Sequence, residues 1–487
     1  MNLRTKACLL IAACLAAPAL PLHAAERWAE LEECVLEAPG ALRSAQARCG
    51  TLKVPENPDD PDARQLELAW AVSPARAGRP ADDPVFFLAG GPGQSARDML
   101  PVMQRVLRNI NSSRDLIFLD QRGTGGSNPL DCEFGAMHAF ADPDWDEFEA
   151  MLRECKDGWD ADVRYYTTTE AARDMDTLRE HLGLEKINLL GGSYGTRLAQ
   201  VYLKNHPDRV RSIILDGVVP TRLPLGSEHA EKLDASLEAL FEACGEHEEC
   251  AARFPGLTES FSRLKAQYAE ESREITVDDP RTGKPREMTF NDEILAGALR
   301  FLAYQPESQM MIPYLVDEAV TTDDPTRLAS QMLMISDQME DMIAFGLNLT
   351  VGCSEDWPAW PEDADASGTL MGNAMHEFYE RFCGWWPAGQ APADFHEPFD
   401  SDVPILLLSG QFDPVTPPEY GDEAEAQFSN SRHLVASGRG HIAITNQCMA
   451  GIATQFLNSG NVDDLDTSCM NRLGPEPFFL ELLGPRP

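Results

Sequence analysis

Short apolar runs and helical periodicities divide the chain into three stretches. Gln65–Ser73 alternates apolar and polar residues, the period of a strand with one covered face. The runs 84–88, 115–119, 187–190, 210–215, 403–408 and 433–436 are compact and apolar, several of them ended by glycine-rich turns. Continuous runs of that length fit strands buried on both faces, as in a parallel sheet flanked by helices. Between about 220 and 400 the texture changes. Leu233, Leu237, Leu240 and Phe241 recur at helical spacing, as do Leu295, Ala298, Leu299 and Leu302, and 327–345 is methionine-rich with a helical pattern. The expected fold is α/β, a mostly parallel central sheet flanked by helices. Its core is expected in two parts, 26–220 and 401–487, separated by a mainly helical insertion, 221–400.

The N-terminus reads differently. Arg4 and Lys6 precede an apolar run over 7–22, which ends at the small residues Ala24 and Ala25. A basic head, an apolar middle and a small-residue cleavage site predict a secretory signal peptide over 1–25. Pro18 and Pro21 oppose a stable spanning helix, and no later stretch reaches the roughly 20 apolar residues a span needs. Ile11-Ala12-Ala13-Cys14 also resembles a lipoprotein cleavage box, but so early a cut leaves an apolar stub. Export to periplasm, cell surface or medium is therefore expected, with lipid anchoring the lesser reading.

Cysteine usage agrees. Of 12 cysteines, Cys8 and Cys14 fall in the leader, and the even remainder in an exported chain implies five disulfides. Sequence does not prove connectivity; neighbour pairing gives 34–49, 132–155, 244–250, 353–383 and 448–469. There is no Cys-x-x-Cys or His-Glu-x-x-His, so no metal is expected. The formal charge of −39 argues against nucleic acid or an anionic membrane surface as partner, since both reward clustered positive charge.

The strongest local signal is Gly191-Gly192-Ser193-Tyr194-Gly195. It follows the apolar run 187–190 and opens a helical pattern with Leu198, Ala199, Tyr202 and Leu203 on one face before Pro207. That strand–turn–helix context is the one a nucleophile elbow requires. The bland alternative is a small-residue turn packing a helix on a sheet. A serine hydroxyl needs a base, and the base needs an orienting carboxylate. Asp413 lies just past the run 403–408, and His441, in Gly438-Arg439-Gly440-His441, lies past the run 433–436. Active-site groups of such sheets collect at the carboxyl ends of strands. Singly, an Asx turn and an exposed histidine would be banal; in the order Ser193, Asp413, His441 they form a candidate triad. An oxyanion hole needs backbone N–H donors. Tyr194, after the nucleophile, supplies one candidate. Gly91, in Ala89-Gly90-Gly91-Pro92-Gly93, supplies the other; as a phosphate loop this run lacks the Gly-Lys-Ser/Thr ending.

These residues resemble the serine peptidases of the proline iminopeptidase and tripeptidyl aminopeptidase family, within the α/β-hydrolase fold. The resemblance rests on Gly90-Gly91-Pro92-Gly93, on Asp120-Gln121-Arg122-Gly123-Thr124-Gly125-Gly126-Ser127, on the elbow, and on the Asp413 and His441 loops. Iminopeptidases usually have histidine where Ala89 stands, and that departure, with the export signal, cysteines and chain length, is more similar to the tripeptidyl branch. The resemblance implies that the insertion is a cap over the site. It implies an exported serine aminopeptidase that releases tripeptides or N-terminal residues from peptides with a free N-terminus through an acyl-enzyme, with no cofactor. Val351-Gly352-Cys353-Ser354-Glu355-Asp356-Trp357 resembles a block of the same branch. It makes Glu355 or Asp356 a candidate for holding the substrate ammonium, against the reading of a solvated acidic loop. Arg122 is expected to tie loops together, and the methionines at 332, 334, 339 and 342 to form the packed face of a cap helix. A carboxylesterase uses the same machinery and is the alternative; a silent binding protein is a third reading. Oligomeric state, proline preference and the number of residues released are left open.

Overall fold

The computed structural model describes residues 27–40, 43–62, 64–132, 144–280, 282–340 and 342–484. The expected signal peptide and lipoprotein box lie outside the described residues. Nine strands form one sheet: β1 (Glu32–Glu37), β2 (Ser44–Pro55), β3 (Gln65–Ser73), β4 (Val85–Leu88), β5 (Leu116–Leu119), β6 (Ile187–Gly192), β7 (Val210–Asp216), β10 (Ile405–Gly410) and β11 (Ser431–Ala436). Also among the described residues, β8 (Arg273–Asp278) and β9 (Pro285–Phe290) pair as a separate antiparallel hairpin. The large sheet runs β1-β2-β3-β5-β4-β6-β7-β10-β11. β1, β2, β3 and β5 are antiparallel to their neighbours in that order, and from β5 through β4 to β11 all pairings are parallel. This is the α/β-hydrolase fold.

Every residue of β4, β5, β6 and β10 is buried, which is why their apolar runs are unbroken. One face of the sheet packs Phe86, Ile117, Leu189 and Leu407 against Met175, Leu178, Leu198 and Tyr202 of the helices Thr168–His181 and Tyr194–Asn205. The other packs Phe118, Leu190, Ile214 and Leu408 against Leu100, Met103, Ile452 and Phe456 of the helices Ala96–Val106 and Gln447–Ser459.

Between β7 and β10 the chain builds a second core of mainly helical elements around Leu233, Leu237, Leu299, Leu302, Val316 and Met332. Phe412, from the loop after β10, belongs to that second core, and its carbonyl accepts hydrogen bonds from Ser236 Oγ and Gln309 Nε2, both at 2.9 Å. The insertion thus grips the loop that carries Asp413.

Two features differ from the sequence expectation. Half-exposed β1 and β2 extend the sheet at an edge where few side chains are covered, so their pattern is mostly polar. The hairpin β8–β9 interrupts the helices because Val277, Met288 and Phe290 alone on its strands are covered, with charged residues between them. The methionines divide. Met332 is buried, Met342 half-buried and Met334 exposed, so the packed face holds for the first but not for Met334, while the side chain of Met339 lies outside the described residues. The cysteines pair as neighbours: Cys34–Cys49, Cys132–Cys155, Cys244–Cys250, Cys353–Cys383 and Cys448–Cys469. Among the described residues no helix is long and apolar enough to cross a membrane.

Candidate active site

β6 ends in Gly192, and Ser193 turns the chain into the helix Tyr194–Asn205 with φ 55° and ψ −126°. A non-glycine residue there carries strain of about 1–3 kcal/mol, which the surrounding structure must impose. The imposing contacts are visible. Ser193 N–H donates to the carbonyl of Asp216 at 2.9 Å, and Thr196 Oγ1 donates to the Ser193 carbonyl at 2.6 Å. A Cβ at Gly195 would run into the Leu88 carbonyl, so the glycine is what lets the helix start against β4. The Ser193 hydroxyl makes no hydrogen bond among the described residues.

The Gly90-Gly91-Pro92-Gly93 turn lies alongside. A Cβ at Gly90 would sit 3.1 Å from that of Ser193. The next amide, that of Gly91, donates no hydrogen bond among the described residues. The Tyr194 amide is in the first turn of its helix, where donors have no intrahelical acceptor and the dipole is positive. Asp120 ties the start of the helix that follows the Gly90-Gly91-Pro92-Gly93 turn to its own glycine-rich loop, accepting from Ser95 Oγ, Arg97 N and Gly126 N, each at 2.9 Å. Arg122 makes a bidentate pair with Asp174, both bonds 2.7 Å, and donates to the carbonyls of Glu56 and Tyr165. It ties loops and is fully covered.

His441 Nδ1 lies 2.8 Å from Asp413 Oδ2 and 3.1 Å from Thr416 Oγ1. Asp413 also accepts from Val415 N and Thr416 N at 2.9 Å and from Thr416 Oγ1 at 2.8 Å. With Nδ1 donating to the carboxylate, the lone pair of the neutral ring is on Nε2. Burial alone would lower the His441 pKa, but the charge and hydrogen bond of Asp413, with a further contribution from Asp216, outweigh it and the pKa is raised.

Asp216 closes β7 and stands in none of the sequence motifs. Its carboxylate accepts from Ala443 N at 2.9 Å and Ile444 N at 2.8 Å, just past His441, while its carbonyl holds Ser193. One residue therefore fixes the elbow and the histidine loop relative to each other. Burial pushes its carboxyl up to about 7.

Glu355 and Asp356 are adjacent and both buried, which excludes the solvated acidic loop. They face different partners. Thr168 donates to Glu355 from its N–H and from its hydroxyl, both at 2.6 Å, and the same hydroxyl is 2.6 Å from Tyr194 Oη. Asp356 Oδ1 accepts from Arg197 Nη1 at 2.6 Å and Leu225 N at 2.7 Å, while its buried Oδ2 has no hydrogen bond among the described residues. Burial first, then the neighbouring Asp356, raises the Glu355 carboxyl to about 7. With Glu355 ionised, two carboxylates and one guanidinium leave one uncompensated negative charge beside the helix that Ser193 opens. Sequence reasoning missed Thr168, Arg197, Thr416 and Tyr304, whose carbonyl accepts from His441 N at 2.8 Å. Thr416 stands in the Asp413 turn itself and Arg197 on the helix that Ser193 opens, whereas Thr168 and Tyr304 reach the site across the fold.

Residues 83–243 match the family model described as the alpha/beta hydrolase fold, and 369–469 match that of a TAP-like protein. The chain is 25% identical over 462 residues to the serine protease Hip1 of Mycobacterium tuberculosis, covering 87% of each chain. It is 24% identical over 463 residues to a tripeptidyl aminopeptidase of Streptomyces coelicolor, covering 88% of this chain and 84% of that one. Over a shorter stretch of 152 residues it is 30% identical to the proline iminopeptidase of Neisseria gonorrhoeae, covering 31% of this chain and 36% of that one. The chain thus carries an α/β-hydrolase domain and a TAP-like C-terminal part, and its likeness to serine proteases and aminopeptidases over most of its length makes it a serine hydrolase of peptidase type.

Proposed function

We propose that this serine hydrolase is an exported aminopeptidase that removes tripeptides, or shorter N-terminal pieces, from peptides with a free N-terminus. Ser193 attacks the scissile carbonyl, and His441 takes its proton and returns it to the leaving amine. Asp413 holds the imidazole in the required tautomer, the amides of Gly91 and Tyr194 receive the oxyanion, and water releases the acyl-enzyme. The five disulfides support an oxidising compartment.

The observation that carries the aminopeptidase reading is the pair Glu355 and Asp356. A buried cluster in which two acids share one guanidinium and one carboxylate oxygen is unpartnered suits a single ammonium group, which would favour the ionised form of Glu355 and which an ester has no need to supply. The test is hydrolysis of a free tripeptide amide, its N-acetylated twin, a proline amide and p-nitrophenyl butyrate, by the mature enzyme and by Ser193→Ala. Preference for the free tripeptide, abolished by the substitution, is the expected result. Turnover of the proline amide alone would move the reading to an iminopeptidase, and ester cleavage with all amides inert would leave an esterase.

A further inference from the structure

The fully buried arginines of this protein are matched to acids. Arg122 holds Asp174, Arg179 holds Asp176 and Arg197 holds Asp356. Arg300, on the insertion helix Asp292–Leu302, is half-buried and has no carboxylate within ion-pair distance among the described residues. Its Nη2 lies 3.2 Å from His229 Nδ1 and its Nη1 3.9 Å from Met375 Sδ. Half-buried Arg432 also lacks a carboxylate but donates to the carbonyls of Val462 and Asp463, whereas Arg300 has only an imidazole nitrogen and a thioether sulfur among the described residues.

His229 adds an independent observation. It is 8% exposed, and its Nε2 has no hydrogen-bond partner. A guanidinium only donates, so Nδ1 is the acceptor of that contact and Nε2 carries the hydrogen. The cluster therefore holds a buried N–H donor without an acceptor, beside a cation without an anion. Buried donors without acceptors are rare enough to call for an explanation. Burial, and then the charge of Arg300, hold the imidazole well below its usual pKa, so it does not compete as a second cation.

The cluster lies at the reaction centre. Arg300 is one helical turn before Tyr304, whose carbonyl accepts the His441 amide and whose ring lies 5.2 Å from the His441 ring. The charge of Arg300 is felt by His441 on one side and by Tyr379 on the other, and Tyr379 also senses Asp356. Arg300 thus joins the His441 loop, by way of Tyr304, to the helix Ala374–Cys383 that carries Tyr379, by way of Met375.

We infer that Arg300, with His229 behind it, is an anion subsite of the insertion that receives a carboxylate of the peptide substrate. This rests on the peptidase reading and deepens it: the site would recognise a zwitterionic or acidic peptide at both ends of its charge pattern, ammonium on Glu355/Asp356 and carboxylate on Arg300. The carboxylate has two sources, the C-terminus of a short leaving peptide or an acidic side chain.

The experiment compares kcat/KM for tetra-alanine as free acid and as C-terminal amide, and for Ala-Ala-Ala-p-nitroanilide against versions with Glu at each position, in wild type, Arg300→Lys and Arg300→Met. The expected result is a wild-type preference of roughly 10–100-fold for one carboxylate-bearing series, the scale of a charge-assisted hydrogen bond. It falls toward unity in Arg300→Met, through KM, and is partly kept in Arg300→Lys. A response confined to the free acid names the C-terminus; one confined to the Glu series names the side chain. Labelling of Ser193 by a fluorophosphonate confirms that each variant is folded. Equal rates for carboxylate and neutral partners in wild type, or a preference that survives Arg300→Met, would overturn the subsite. Failure of the neutral free tripeptide itself would instead overturn the aminopeptidase reading.

Discussion

Asp413 and the Glu355/Asp356 pair are buried carboxylates of the candidate site, and they are held in opposite ways. Asp413 is gripped by its own turn: Val415 and Thr416, two and three residues on, give it backbone and hydroxyl donors, and only His441 comes from another loop. Glu355 and Asp356 are held by side chains and amides from far along the chain, Thr168, Arg197 and Leu225. A local grip sets geometry by the path of the backbone and suits a group that orients a proton carrier. A long-range grip depends on the insertion docking against the sheet, so it suits a group whose position selects substrates. The comparison implies that changes at Asp413 act on the chemical step and changes at 355 and 356 on binding and on the docking itself.

The largest effect tests the first half. Asp413→Asn keeps the shape but not the charge that fixes the imidazole tautomer, and kcat for the free tripeptide amide is expected to fall roughly 10⁴-fold, as such substitutions do in other triads. Steady-state kinetics decide it; a loss below tenfold would remove Asp413 from the mechanism. The second half is tested by Arg197→Met, which leaves Asp356 buried without its counter-charge. Breaking one side of such a pair costs about 3–5 kcal/mol. Urea unfolding should show that loss, and adding Asp356→Leu should recover much of it. If the single variant is as stable as wild type, the insertion is not held through this pair.

A smaller effect separates the two acids. Glu355→Gln and Asp356→Asn should each raise KM for free-amine peptides more than for their acetylated twins, by roughly tenfold to a hundredfold for whichever acid meets the ammonium. The variant with the larger change in the free-to-acetylated ratio names that acid. No change in the ratio for either would dissociate both from the amine.

The same contrast explains how much was legible in advance. Ser193, Tyr194 and Gly91 lie in short motifs whose geometry is local; Ser193 and Asp413 follow strands whose unbroken apolar runs mark them as buried, while His441 follows the half-exposed edge strand β11. The sheet beyond β3 was legible for that reason, while β1, β2 and the hairpin β8–β9 were not, because half-covered strands carry little periodic signal. Asp216, Thr168, Arg197 and Arg300 were invisible because their roles are defined by partners about 25 to more than 200 residues away. A sequence shows which residues can make an ion pair, but not which arginine will be left without one.

The smallest effect is on the pH dependence of stability, and its sign follows from burial. Glu355 and Asp216 titrate near 7 in the folded chain, well above the ordinary carboxyl range. Between those limits the unfolded chain has released protons that the folded chain still holds, so unfolding releases protons and stability falls as pH rises. The raised pKa of His441 acts in the same direction, its contribution being present at low pH and lost as pH climbs through the folded value. Each carboxyl contributes a slope of at most about 1.4 kcal/mol per pH unit between roughly pH 5 and 7. Glu355→Gln should flatten the decline by one such slope and Asp216→Asn by another. Asp216→Asn should also move the acid limb of kcat/KM to lower pH, because His441 loses a neighbouring negative charge; Glu355→Gln should leave that limb where it is, since Glu355 is not among the charges that raise His441. Urea midpoints at half-unit pH steps, read beside the pH–rate profile, separate the two acids. A stability curve that rises from pH 5 to 7 in the wild type, and is unchanged by either substitution, would show that these carboxyls are ionised where they lie.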